Sequence, residues 1–336
     1  VQPRGFFSCF EYRMDGDTSQ KVDEENFNDE IEDGLYPYLC LSEAGTSTIE
    51  TFELDVYIEV RLSFGAEKDE RFYWTRFDLL EEVWVCETGD CGHPNAQFDT
   101  IQGAIDAVAI GGTVNVYPGI YDETASDRTL FNGNGPYQFG LFIEEEKEGL
   151  TLQGIDSDGN PITDYNDVAA SITTNATNAF GYSGVFVESD NITITGLEFL
   201  ENTPSDNKTI EVIGENFTFR NNVIGVPEGG SLYLNDWRYE ETTSTSHVEA
   251  FMIEDNWFKY GTNVSISSGV GVTGDVVNRT ILNNLFTSDE YTVGVSFNGE
   301  IPSVGWFNYP VGGALITGNT FEGVGVPIRS RGTVEE

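Results

Sequence analysis

Apolar and polar side chains alternate regularly through residues 52–64. Because successive side chains of a strand point to opposite faces of the sheet, this pattern predicts a strand with one buried face, as in an antiparallel sheet. Residues 71–86 are rich in aromatic and β-branched side chains, and we expect them to pair with the first run across a turn at 65–69. The apolar positions of the first run are Phe52, Leu54, Val56, Ile58, Val60, Leu62 and Phe64.

From residue 98 the apolar positions take the spacing of an amphipathic helix. Asp99 is the predicted N-cap, and the glycine pair at 111–112 is predicted to end the helix. Within residues 113–123 a short strand is expected that ends in a Pro-Gly turn at 118–119. The apolar helix face consists of Ile101, Ala104, Ile105 and Val108.

This segment carries a family resemblance. Between Phe98 and Glu123 the chain reads F-D-T-I-Q-G-A-I-D-A and then G-G-T-V-N-V-Y-P-G-I-Y-D-E. The phrase resembles the opening of the pectin-lyase-like β-helix superfamily, which includes pectin methylesterases and many surface proteins. The resemblance implies a right-handed parallel β-helix with a capping helix at its start. It implies little about chemistry, because one fold hosts many functions.

Five short repeats follow, at 194–199, 219–224, 253–258, 281–286 and 316–321, separated by 25, 34, 28 and 35 residues. A strand–turn–strand unit recurring at such intervals is typical of stacked coils, with the longer intervals forming protruding loops. One asparagine recurs at the turn of the repeat, and we expect these side chains to hydrogen-bond from coil to coil while their backbone takes the left-handed conformation of a tight bend. The ladder comprises Asn222, Asn256, Asn284 and Asn319.

The sequence therefore predicts an all-β protein with two domains. Residues 1–94 would form a small, strand-rich, disulfide-bonded antiparallel domain, and residues 95–336 a right-handed parallel β-helix with an N-terminal capping helix. All four cysteines fall in the first 91 residues. An even number in one segment of a secreted chain favours disulfides over a zinc site, and we expect the pairs Cys9–Cys40 and Cys86–Cys91.

The net charge of −41 repels nucleic acid and anionic membranes, since phosphate binding needs clustered Lys and Arg, and no nucleic-acid partner is expected. The charge fits work in high salt, and general solubility explains it equally well. No apolar stretch is long enough to span a membrane. The first residue is Val1 rather than Met, from which we expect a processed signal peptide and an extracellular or cell-surface location.

Catalytic motifs of the superfamily's methylesterases, lyases and hydrolases are not found in this sequence. A lyase site could be built from Arg220 or Lys259 with Glu254 and Asp255, although charges on the solvated face are the simpler interpretation. If the chain is an enzyme, a polysaccharide lyase or glycoside hydrolase is expected.

Calcium is the expected ligand, at oxygen-bearing residues that recur in one acidic loop. An ordinary Asp/Gly turn is the alternative. Six Asn-x-Ser/Thr sequons lie in the predicted β-helix, as suits a glycosylated surface protein. The calcium candidates are Asp156, Asp158, Asn160, Asp164 and Asp167, and the sequon asparagines are Asn175, Asn191, Asn207, Asn216, Asn263 and Asn278.

Three functions remain open. The first is a non-enzymatic subunit that associates with itself into a filament, sheath or surface layer, through the exposed ends of the β-helix or the leading segment 1–7. The second is a secreted carbohydrate-active enzyme of the pectin-lyase-like class. The third is an adhesin that binds extracellular polysaccharide with aromatic side chains such as Trp237, Trp257 or Trp306.

Overall fold

The computed structural model describes two compact units of the chain, Val1–Asp55 and Val56–Glu336. In the first unit, β1 (Tyr12–Arg13) pairs antiparallel with β2 (Gln20–Lys21). The described residues are 12–13, 20–21, 62–63, 72–73, 80–87, 96–130, 137–174, 184–202, 209–226, 230–235, 248–267, 278–298, 311–331 and 334–335.

Two short strands pair antiparallel in the second unit, β3 (Leu62–Ser63) and β4 (Phe72–Tyr73). This pairing agrees with the predicted hairpin. The second run was predicted to pair in this hairpin as far as residue 86, however, and for residues 80–85 this prediction was wrong. β5 (Leu80–Val85) pairs in parallel with the strand that follows the helix, because its Val83 and Val85 are fully buried in the core of the stack. The parallel sheets thus include residues before position 95.

Three parallel sheets contain most of the remaining strands. Sheet 1 consists of β5, β6 (Val108–Val116), β11 (Thr151–Gly154), β14 (Thr193–Thr195), β17 (Phe217–Arg220), β20 (Phe251–Glu254), β23 (Arg279–Leu282) and β27 (Leu315–Thr317). Sheet 2 consists of β7 (Gly119–Glu123), β12 (Ala170–Thr174), β15 (Glu198–Asn202), β18 (Val223–Ile224), β21 (Trp257–Phe258), β24 (Leu285–Thr287) and β28 (Thr320–Glu322). Sheet 3 consists of β10 (Leu141–Ile143), β13 (Val185–Val187), β16 (Ile210–Val212), β19 (Ser231–Leu234), β22 (Asn263–Ser267), β25 (Val293–Asn298) and β29 (Val326–Arg331).

The chain visits the sheets in the order 1, 2, 3 and then returns to sheet 1, so each coil lies on the one before it. Seven such coils are complete within the described residues. This is an all-β protein with the arrangement of a parallel β-helix. Two pairs lie outside the three sheets: β8 (Ser126–Arg128) with β9 (Tyr137–Phe139), antiparallel, and β26 (Val311–Gly312) with β30 (Val334–Glu335), parallel.

The core runs along the axis of the stack, because equivalent positions of successive coils point inward. In sheet 2 the inward column contains phenylalanines, and the rings of Phe258 and Phe286 stack at 4.6 Å. The ring of Phe286 stacks in turn on that of Phe321 at 4.9 Å. In sheet 1 the inward column is aliphatic apart from one phenylalanine, and it contains Val114, Leu152, Ile194, Phe219, Ile253, Ile281 and Ile316.

Helix α1 (Ile101–Ala107) caps the start of the stack, and its predicted apolar face is fully buried. Its N-cap is Thr100 rather than Asp99, because the Thr100 hydroxyl accepts a hydrogen bond from the backbone N–H of Gly103 at 3.2 Å. The helix also ends earlier than predicted, at Ala107, because Val108 is already extended as the first residue of β6.

Two buried charged side chains, Glu123 and Lys147, form hydrogen bonds to the ends of α1. Neither was predicted from the sequence. The Glu123 carboxylate accepts hydrogen bonds from the backbone N–H groups of Ile101 and Gln102 at the N-terminus, where the helix dipole favours an anion. Burial nevertheless raises the pKa of this carboxyl. At the other end Lys147 Nζ donates to the carbonyl oxygens of Asp106 and Val108.

Candidate functional site

A two-residue turn joins sheet 1 to sheet 2 in the later coils, and the recurring asparagines lie in it. The Oδ1 atom of Asn256 accepts a hydrogen bond from the backbone N–H of Asn222 at 2.9 Å. The Oδ1 atoms of Asn284 and Asn319 accept from the coil before them in the same way, at 3.0 and 2.9 Å. The ladder begins at Leu197, whose N–H donates to Asn222. These side chains are engaged with the backbone and serve the turn.

The left-handed backbone of the turn is one residue earlier than we expected. Positive φ angles occur at Asn221 (55°), Asp255 (54°), Asn283 (55°) and Gly318 (69°), each directly before a ladder asparagine. The expectation for the ladder residues themselves was wrong, because a left-handed residue makes the bend and the next residue must point inward to reach the neighbouring coil.

Within the described residues, the last coil of the stack has no further coil beyond it. Strands β27, β28 and β29 are each the last strand of their sheet, so within the described residues one edge of each has no neighbouring strand. The inward column of sheet 3 passes from Val295, which is fully buried, to Ile328, which is 48% exposed. Ile316 and Phe321, on the inward columns of the other sheets, are only partly buried. The last described coil therefore exposes both backbone edges and core side chains.

The charge of this end differs from that of the whole chain. The described residues from 311 onward contain two arginines, Arg329 and Arg331, and two acids, Glu322 and Glu335, so they carry no net charge, against −41 for the full sequence. Electrostatic repulsion between two copies is therefore lower here than the charge of the whole chain would suggest. Apolar surface, strand edges and low charge coincide at this surface, which we call the open end: β27, β28 and β29.

The outer face of sheet 3 carries a polar row. Arg329 Nη2 donates to Ser296 Oγ at 3.0 Å, and Asn298 Nδ2 donates to Ser265 Oγ at 2.9 Å. Glu211 lies on the same outward column, four coils before Arg329, which corresponds to about 19 Å at the usual strand spacing. These two charges are too far apart to act on one bond.

The structure brings together one of the two residue sets proposed for a lyase site, and separates the other cation from it. Arg220 and Glu254 are neighbours in register on sheet 1, with Asp255 in the turn that follows. Lys259 follows β21 of sheet 2, and its Nζ forms an ion pair with Glu198 Oε1 at 3.1 Å. The two cations are thus placed on different faces, and Lys259 has a partner two coils away.

Of the three tryptophans proposed to bind polysaccharide, the described residues include Trp257. The Trp257 indole N–H donates to Thr287 Oγ1 at 3.0 Å, and Lys259 Nζ lies 4.3 Å from the centroid of its ring. The indole is therefore part of a packed cluster. Trp237 and Trp306 lie outside the described residues, as does the leading segment 1–7.

The predicted calcium loop is closed by its own hydrogen bonds. Asp156 accepts from the backbone N–H groups of Asp158 and Asn160, both at 2.8 Å, and from Asn160 Nδ2. The hydrogen bonds from Asn160 are the main cause of the lowered pKa of Asp156. Asp164 accepts from a backbone N–H in the 3-10 turn Tyr165–Asp167. Among the described residues no three or more acidic, His or Cys side chains are grouped to hold a metal ion. This geometry favours the turn interpretation.

Cys86 is buried and disulfide-bonded. Its predicted partner Cys91, like Cys9 and Cys40, lies outside the described residues, so both pairings stay predictions. Of the sequon asparagines, Asn175 and Asn207 also lie outside. Asn191, Asn216 and Asn278 occupy one column where sheet 3 turns into sheet 1, and Asn263 begins β22.

No protein-family model matches the sequence, and no curated protein matches it significantly. Among solved structures the chain is similar to a rhamnogalacturonan lyase, with 14% identity and a TM-score of 0.31. The match covers 75% of this chain and 66% of that one, slightly less than two thirds of its length. Similarity at this level carries no argument about activity. No helix in the described part of the chain is long and apolar enough to cross a membrane.

Proposed function

We propose that this chain is an extracellular structural protein that associates with a second copy of itself through the open end. The single observation behind the proposal is the last described coil, where interior side chains and three strand edges are exposed together. In this proposal the coil is right-handed, because parallel crossover connections almost always are. The N-terminal region is disulfide-bonded. A filament or surface layer would need a second contact elsewhere on the chain.

Strand pairing and apolar burial would both contribute to this association. Unpaired strand edges are templates for pairing with another chain. Ile328 is half exposed at a position whose equivalent in the preceding coil, Val295, is fully buried. At the start of the stack, by contrast, the side chains of α1 already cover the core. Contact between two open ends would complete the burial in both copies.

The test is sedimentation velocity of the full chain over a range of concentrations in high salt, which screens the acidic surface. The wild-type protein should show a concentration-dependent dimer. Ile328→Glu should weaken the dimer at least tenfold, which corresponds to about 1.4 kcal/mol, because it places a charge in the contact. Circular dichroism should show an unchanged fold, since the side chain is half exposed.

Ile120→Glu is the matched control. Ile120 is 62% exposed and lies on sheet 2 in the first coil, six coils from the open end. The same charge there should leave the dimer constant unchanged. A wild-type chain that stays monomeric at all concentrations, or an equal loss from both substitutions, would overturn the proposal.

A further inference from the structure

A hollow of about 400 Å³ lies on the outer face of sheet 1, away from the open end. It spans the fourth, fifth and sixth coils, at the beginning of strands β17, β20 and β23. Its lining is uncharged and consists of Asn216, Phe217, Thr218, Ala250, Phe251, Met252, Asn278 and Thr280.

The hollow exists because the fifth coil carries different residue types from its neighbours at two positions on the outer face of sheet 1. One outward column reads Thr193, Thr218, Met252 and Thr280 in successive coils. Two positions earlier, where sheet 3 turns into sheet 1, the corresponding residues are Asn191, Asn216, Ala250 and Asn278. In the fifth coil, Ala replaces Asn and Met replaces Thr. The missing amide leaves the space, and the thioether side chain lies beside it in the lining.

The chemistry of the hollow suits a sugar ring. Its middle is apolar, because Ala250 and the 41% exposed Met252 lie between its two sides. Its two sides each offer an amide and a hydroxyl, and they are two coils apart, or about 9.6 Å. The apolar C–H face of a pyranose can pack against Met252 while its hydroxyl groups hydrogen-bond to both sides. A lining that combines apolar surface with a few convergent polar groups is typical of small-ligand sites.

Charge narrows the class of sugar. None of the lining residues is ionisable, and Arg220 and Glu254 beyond the hollow are of opposite sign and in register with one another. A uronate would find no cation in the hollow itself and would meet the field of a chain carrying −41. An uncharged ring meets neither problem.

We propose that this hollow binds an uncharged hexopyranose. The ring can come from two sources, a residue of an extracellular polysaccharide or the first sugar of a glycan on Asn278, which begins the sequon Asn278-Arg279-Thr280. Asn216 also begins a sequon, but its Nδ2 already donates to Asn191 Oδ1 at 3.0 Å.

Calorimetry with the unglycosylated full chain tests the first source. The probes are maltohexaose, cellohexaose, mannohexaose and chitohexaose, with hexagalacturonate as the anionic comparison. At least one uncharged probe should bind, and hexagalacturonate should not. Ala250→Asn restores the amide that the column lacks and should weaken binding at least tenfold. The substitution suits the fold because neighbouring coils carry Asn at this place. Ile120→Asn, on sheet 2, should change nothing.

Glycopeptide mapping of the natively produced protein tests the second origin of the sugar, a glycan on Asn278. If Asn278 carries a glycan, the glycosylated protein should not bind the uncharged probes, whereas the unglycosylated chain should bind them, and Ala250→Asn should again abolish that binding. Binding that Ala250→Asn leaves unchanged would overturn the proposal. So would the absence of binding by every uncharged probe together with an unmodified Asn278.

Discussion

Replacing Asn256 with Leu should destabilise the β-helix strongly, because this side chain is fully buried and bonded on both sides of its coil. Its Oδ1 accepts from the Asn222 N–H, and its Nδ2 donates to the Phe219 carbonyl and to Asn284 Oδ1, all at 2.9 Å. Leucine has similar bulk but cannot replace any of these three hydrogen bonds.

The magnitude follows from the groups left behind. A buried N–H or C=O that loses its only partner costs about 1–3 kcal/mol. The Asn222 N–H is such a group, and Phe219 O loses one of its hydrogen bonds. We therefore expect a loss of about 2–5 kcal/mol, measured as a lower urea midpoint by circular dichroism and tryptophan fluorescence at fixed salt.

Asp255→Gly is the matched control in the same turn. Asp255 has a φ of 54°, which glycine adopts without strain, so the substitution should change stability by no more than about 1 kcal/mol. If Asn256→Leu cost less than about 0.5 kcal/mol, the hydrogen-bonded ladder would not be holding this corner.

Two further predictions concern ionisation and covalent structure. Burial raises the folded-state pKa of Glu123 above its usual 4.5, so the wild type should gain stability relative to Glu123→Gln as the pH falls through the raised pKa towards 4.5. Urea titrations of both proteins at several pH values would show a constant difference if Glu123 titrated normally. Non-reducing peptide mapping should recover Cys86 joined to Cys91 and Cys9 to Cys40, whereas a Cys40–Cys86 peptide would refute the pairing but not the presence of disulfides.

Much of the fold could be read from the sequence because the unit of a stacked coil is local. The buried face of α1, with Ile101, Ala104 and Ile105, follows from helical spacing alone. The turn asparagines could be aligned because each must meet the same geometric need in a two-residue bend. The sequence did not show which residue of this turn is left-handed, because both of them, Asn221 and Asn222, are asparagine.

What lay beyond the sequence was the set of contacts made by side chains outside the aligned repeats. The repeats gave the register of sheets 1 and 2 in the last five coils, but the insertions between them differ in length, so spacing along the chain does not tell which residues elsewhere become neighbours. Lys259 finds Glu198 across 61 residues, and Lys147 reaches the end of α1 across 41 and 39.

The open end was likewise a matter of tertiary structure. Ile328 and Val295 are both apolar residues in alternating strands, and nothing in their local sequence separates them. One is fully buried and the other is 48% exposed because only Val295 has coils on both sides within the described residues. Local sequence determined which side chains point inward, and the number of neighbouring coils decided which of them are covered.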